Sequence, residues 1–103
     1  MERRTGSRAR VDFFVSALID GFLHRCRALD LSTSGMMLER TPSLSRRNAP
    51  SIAAFRLELP GGRFMFVRGR IVWSHGRYQA VRFVGVHEVD RLTLAEHIDA
   101  VAA

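Results

Sequence analysis

Arg4-Thr5-Gly6-Ser7-Arg8 sets two guanidinium groups four positions apart, directly after Arg3 and before any hydrophobic pattern begins. Arginine presents a planar fork of donors that matches phosphate oxygens and the N7/O6 edge of guanine, and it stacks on flat rings in a way lysine does not. A second polar group, Asp30-Leu31-Ser32-Thr33-Ser34-Gly35, brings together a carboxylate, hydroxyls and a glycine. Each group also has a purely structural explanation. Basic chain ends are commonly solvated and carry no function. Asp, Ser and Gly are the residues that turns use, through side-chain to backbone hydrogen bonds.

Catalysis finds little support. Nucleophilic hydrolysis needs a Ser or Cys with a His base, and no GxSxG stretch is present. There is no Walker loop and no GxGxxG. Asp30 and Glu39 are both carboxylates, but any two carboxylates in a domain would qualify as an acid/base pair on that ground alone. His24, His75, His87 and His97 are scattered without metal-ligand spacing, and Cys26 shares a strand face with Phe22 and Ala28, which reads as a buried, inert thiol. The expectation is therefore no enzyme, no cofactor and no metal.

With 103 residues, 47% hydrophobic and 25% charged, the chain has the composition of one globular domain. The net charge is +6, and all 16 basic residues are arginine. That balance favours an anionic partner, above all one bearing phosphates. A single cysteine permits no internal disulfide. The apolar runs are too short to span a membrane, and the N-terminus lacks the apolar stretch of a signal peptide, so the cytoplasm is the expected location.

The positioning elements are strands. Val11 to Asp20 alternates with Val11, Phe13, Val15, Ala17 and Ile19 on one face, and after Gly21 the alternation continues from Phe22 to Leu29, with Phe22, His24, Cys26 and Ala28 opposite Arg25 and Arg27. Met36 to Glu39 is a short apolar strand, and Thr41 to Ser51, with Arg46 and Arg47, reads as an exposed loop between strands. Ile52 to Leu59, Phe64 to Trp73 and Tyr78 to Val86 complete the strands, with Phe55, Leu57, Leu59, Met65, Val67, Ile71, Trp73, Val81 and Phe83 facing inward. The tail then changes period: Val89, Leu92, Ala95, Ile98 and Val101 recur every three residues, which signals an amphipathic helix. Six short antiparallel strands that bury one face commonly close into a barrel, because closure removes open edges. The expected fold is an all-β, six-stranded antiparallel barrel with a C-terminal helix.

In this order and context the two polar groups resemble the signature of the PilZ domain family, RxxxR followed about one hairpin later by [DN]xSxxG. The likeness extends over essentially the whole chain, through Gly69 to Trp73 (GRIVW), Ala80 to Phe83 (AVRF) and the terminal helix. It implies a single domain over 1–103, with residues 1–10 as a flexible ligand-binding arm, 11–86 as the barrel and 88–102 as the helix. It also implies a bacterial second-messenger receptor for cyclic di-GMP. Arg4 and Arg8 then bind phosphate or guanine and stack on the bases, Asp30 accepts from guanine N1–H and N2–H, Ser32 donates its hydroxyl, and Gly35 allows a positive φ or a close backbone approach to the base. The residue before the first arginine of the signature bears on ligand stoichiometry, and Arg3 leans towards an intercalated pair. Ala80 departs from the glycine often found there and raises the question of crowding in the barrel wall.

The receptor would signal through a protein partner, with no membrane involved. Two alternatives remain: a basic barrel binding nucleic acid through strand arginines such as Arg25, Arg27, Arg68 and Arg70, and a ligand-free interaction module of the same fold. Nucleic-acid modules interleave aromatics with basic residues on an exposed face. The expected placement of most aromatics on core faces counts against that alternative.

Overall fold

The computed structural model of the protein describes residues 8–19, 21–40 and 51–102. Strands β1 (Ala9–Ile19), β2 (Phe22–Leu31), β3 (Gly35–Arg40), β4 (Ile52–Leu59), β5 (Arg63–His75) and β6 (Tyr78–Gly85) precede one helix, α1 (Glu88–Ala102). They close in the order β1-β2-β3-β6-β5-β4, with every neighbouring pair antiparallel. The expected six-stranded barrel with its C-terminal helix is the architecture of the chain. β1 begins at Ala9, two residues before the alternation that first marks it. Most of the loop expected between β3 and β4 lies outside the described residues.

Period-two alternation creates the wall. Phe13, Val15 and Ala17 of β1 point inward beside Cys26 and Ala28 of β2, and Phe55, Leu57 and Leu59 of β4 meet Met65 and Val67 of β5. Full burial of side chains such as Leu57 or Phe55 contributes about 1.5–3 kcal/mol each. The alternation breaks at Leu29. The β1–β2 register shifts between Arg10 and Phe13, and the β2–β3 register shifts between Ala28 and Asp30. This bulge lets Ala28 and Leu31, three positions apart, both lie in the core, and it leaves Asp30 on the outer wall.

Two residues expected inside are exposed. Phe22 is 71% exposed because β3 pairs with β2 only from Cys26 onward, so the start of β2 runs beyond its neighbour. Trp73 follows a second bulge, between Ile71 and Trp73, on the part of β5 that extends past its last β4 partner at Arg70. More generally, Phe14, Phe22, Phe64, Phe66, Trp73 and Tyr78 are exposed and only Phe13 and Phe55 are buried, which overturns the expected inward placement of most aromatics.

The helix also presents a different face from the expected one. Leu94 and Ile98 are buried against the barrel, and the Phe13 and His97 rings meet edge-on at 6.1 Å, while Val89, Leu92 and Val101 are exposed. Residues three apart drift by about 60° per step around a helix of 3.6 residues per turn, so five such positions wrap round it; the four-residue step from Leu94 to Ile98 keeps one side. Thr93 donates its hydroxyl to the Val89 carbonyl at 3.1 Å, a bond within the helix. Among the described residues no helix is long and apolar enough to cross a membrane.

Candidate ligand-binding site

Asp30 is the centre of the site. Arg8 Nη1 donates to Asp30 Oδ2 at 3.3 Å, joining side chains that are 64% and 31% exposed. The other oxygen, Oδ1, is buried and has no hydrogen-bond partner among the described residues. A buried acceptor left unmatched costs free energy, so natural structures leave few. Arg10, exposed, stands directly opposite Asp30 across the β1–β2 ladder. The structure thus brings Arg8 and Asp30 together; Arg3 and Arg4 lie outside the described residues.

The chain beyond Asp30 is held by turn chemistry. Ser32 is buried, and its hydroxyl accepts from the backbone N–H of Ser34 at 3.2 Å and of Gly35 at 3.1 Å. The Ser32 N–H donates to the Gly35 carbonyl at 2.9 Å, and the Phe83 N–H donates to the Ser34 carbonyl at 2.8 Å, fastening the turn to β6. Gly35 does not have a positive φ. Its lack of a side chain serves a close approach of backbone: a Cβ there would run into the Val81 carbonyl of β6. Ser32 and Gly35 therefore set the position of the strand that carries Asp30.

Register adds residues that the motif alone does not point to. One line across the barrel runs Arg10, Asp30, Met37, Ala80, Trp73, and a neighbouring one runs Gly35, Arg82, Arg70. Met37 and Ala80 alternate with buried neighbours and so form a low floor on the outer wall beside Asp30. The Ala80 methyl faces away from the interior and does not crowd it. Arg70 and Arg82, both exposed, stand opposite each other at the edge of this floor. Two like charges facing across a ladder disfavour the strand pair and favour an anion between them. Alternation within AVRF puts Arg82 on the same face as Ala80, but only the β3–β6 and β5–β6 registers set it beside Gly35 and Arg70. Trp73, on the rim, stacks on His75 at 6.0 Å with an interplanar angle of 20°.

The remaining reactive groups stand apart from this face. Burial pushes the Cys26 thiol up to about 11, an effect only partly opposed by Arg40. A protonated, buried thiol is a poor nucleophile. Arg27 donates to both Asp12 oxygens, at 2.6 and 2.9 Å, and holds that carboxyl below its usual range. No cluster of three potential metal ligands exists among the described residues.

The chain is thus a small closed barrel with a helix against β1 and arginines gathered round a carboxylate on its outer wall. A family model for the PilZ domain matches residues 2–100, and the chain belongs to that family. Among solved structures, the PilZ domain of YcgR from Escherichia coli with cyclic di-GMP superposes with a TM-score of 0.82 at 16% identity, covering 98% of this chain and 92% of that one. The Bacillus subtilis inhibitor of motility MotI/DgrA gives 0.80 at 15% identity over 97% of this chain, which spans only 51% of that protein. PlzA of Borreliella burgdorferi in complex with cyclic di-GMP gives 0.63 at 14% identity, with 94% of this chain and 41% of that one covered. No curated protein matches the chain.

Proposed function

We propose that the protein is a non-enzymatic receptor for cyclic di-GMP. The observation that carries this reading is Asp30, with one oxygen held by Arg8 and the other buried without a partner. Guanine offers N1–H and N2–H side by side, a donor pair that a carboxylate accepts and that adenine does not present. Arg3, Arg4 and Arg8 on the terminal arm ahead of β1 close over the dinucleotide and contact its phosphates and bases, while Met37 and Ala80 provide the floor and Arg82 and Arg70 its cationic edge. Ser32 and Gly35 act chiefly by fixing the turn. Ordering of the arm creates a new surface read by a protein partner. Membership of the PilZ family and the likeness to barrels solved with cyclic di-GMP support the reading.

The exposed aromatics favour one alternative. Arg25 lies over the Phe14 ring at 3.9 Å and Arg56 lies 5.3 Å from the Phe64 centroid, an interleaving that suits single-stranded nucleic acid. Calorimetric titration separates the two. Selective binding of cyclic di-GMP over cyclic di-AMP and GTP, lost in Arg8→Ala, supports the receptor. Salt-sensitive binding of a short single-stranded DNA, with silence towards cyclic di-GMP, supports the alternative.

A further inference from the structure

The wall away from Asp30 carries a groove that the ligand reading does not use. Leu23, Leu18, Ala54, Arg68 and Gly85 form one continuous register line across β2, β1, β4, β5 and β6. Two depressions lie along it, of about 470 and 130 Å³, and they share Ala54 and Phe66. The small residues Ala54 and Gly85 make the floor, Leu18, Leu23 and Phe66 the apolar sides, and Arg56 and Arg68 line the margin. Phe66 is 67% exposed, and Arg68 has no ion-pair partner among the described residues. Four strand spacings of about 4.8 Å make the line roughly 19 Å long.

The exposed face of α1 has the complementary character. At about 100° per residue, Glu88, Val89, Leu92, Glu96 and Asp99 fall on the side opposite buried Leu94 and Ile98. Val89 and Leu92 are apolar and the other three are acidic. The 15-residue helix is roughly 22 Å long at about 1.5 Å per residue. Within a chain of net charge +6, this helix carries four acids, Glu88, Asp90, Glu96 and Asp99, against one arginine, Arg91. The groove ends at Val86 and His87, and the helix starts at Glu88, so both surfaces meet at one point of the molecule.

We propose that two copies of this chain form a two-fold dimer in which the exposed face of α1 of each copy lies in the outer groove of the other. Groove and helix adjoin at His87, and exchange of the helices in both directions closes the assembly at two copies. Val89 and Leu92 cover Phe66, Leu18 and Ala54, while Glu96 and Asp99 face the arginine margin. Apolar contact supplies affinity and the charge pairing supplies orientation. A basic second surface would be repelled by Arg56 and Arg68, which is why the acidic helix is the fitting occupant.

Analytical ultracentrifugation of the full chain from low-micromolar to sub-millimolar protein tests this. A monomer–dimer equilibrium is expected, weakened at about 0.5 M salt because rim charges are screened. Phe66→Asp and Leu92→Glu should each raise the dissociation constant by about 30-fold or more. The Arg68→Glu chain and the Glu96→Arg chain should each dimerise about tenfold more weakly alone, and their mixture should recover dimer, since both contacts are then complementary again. Circular dichroism checks the fold of each variant at these exposed positions. A chain that stays monomeric throughout, a dimer indifferent to Phe66 and Leu92, an open series of larger oligomers, or a charge-swapped mixture that does not recover would each overturn the proposal.

Discussion

Replacing Asp30 by alanine should separate stability from binding, with opposite signs. Among the described residues the carboxylate makes one ion pair, with an Arg8 side chain that is 64% exposed, and such surface pairs contribute about 0–1 kcal/mol. Against that, its buried Oδ1 has no partner, and an unsatisfied buried polar atom costs about 1–3 kcal/mol. Asp30→Ala removes both, so the net change in stability is between zero and a gain of about 3 kcal/mol, or a Tm unchanged to raised by up to roughly 12–24 °C, at about 4–8 °C per kcal/mol for a domain of this size. Binding should move the other way. Two hydrogen bonds to a charged acceptor contribute about 1.5–3 kcal/mol each, so losing both weakens cyclic di-GMP binding by about 100-fold or more, at about 1.4 kcal/mol per tenfold. Asp30→Asn keeps one acceptor oxygen and should fall between. Thermal melting and calorimetric titration of the same samples give both numbers. A Tm lowered by about 8 °C or more would show that the carboxylate is a structural group, and unchanged affinity would remove it from the site.

Three further outcomes follow from the geometry. Gly35→Ala drives a methyl into the Val81 carbonyl and should cost about 1–3 kcal/mol in urea unfolding, with ligand affinity falling as the turn shifts. Leu94→Ala should cost about 2–5 kcal/mol, whereas Leu92→Ala in dilute protein should stay within about 0.5 kcal/mol, since one side chain is buried and the other is 64% exposed. Cys26 should resist iodoacetamide at mildly alkaline pH in the folded state and react after unfolding, as followed by mass spectrometry. Because its pKa is raised from 9.0 to about 11, folding favours the protonated thiol, and that contribution to stability is complete below pH 9 and declines as pH rises through 11.

Local chemistry is what the amino-acid sequence by itself determined. Alternation in segments such as Phe64 to Trp73 reports strands because successive side chains leave the backbone on opposite sides, and the change of period after Val86 reports a helix for the same kind of reason. The arginines, the carboxylate and the turn formers of the proposed binding face were equally legible, since side-chain type alone carries their donors, acceptors and charge. Tertiary structure decided the rest. The bulge at Leu29 turns Asp30 outward, and it exists only as a mismatch between strands, invisible within either one. The helix face was misread because Leu94 and Ile98 are chosen by the barrel they meet, whereas Val89, Leu92 and Val101 fit an even three-residue spacing that no partner enforces. Arg70 and Arg82 become neighbours, and Phe14, Phe64 and Phe66 reach the outside, through registers between segments far apart in the chain. Backbone geometry acts over a few residues and writes itself into a local pattern; closure of a barrel is a sum of distant pairings, each of which a one-residue slip would send to the opposite face.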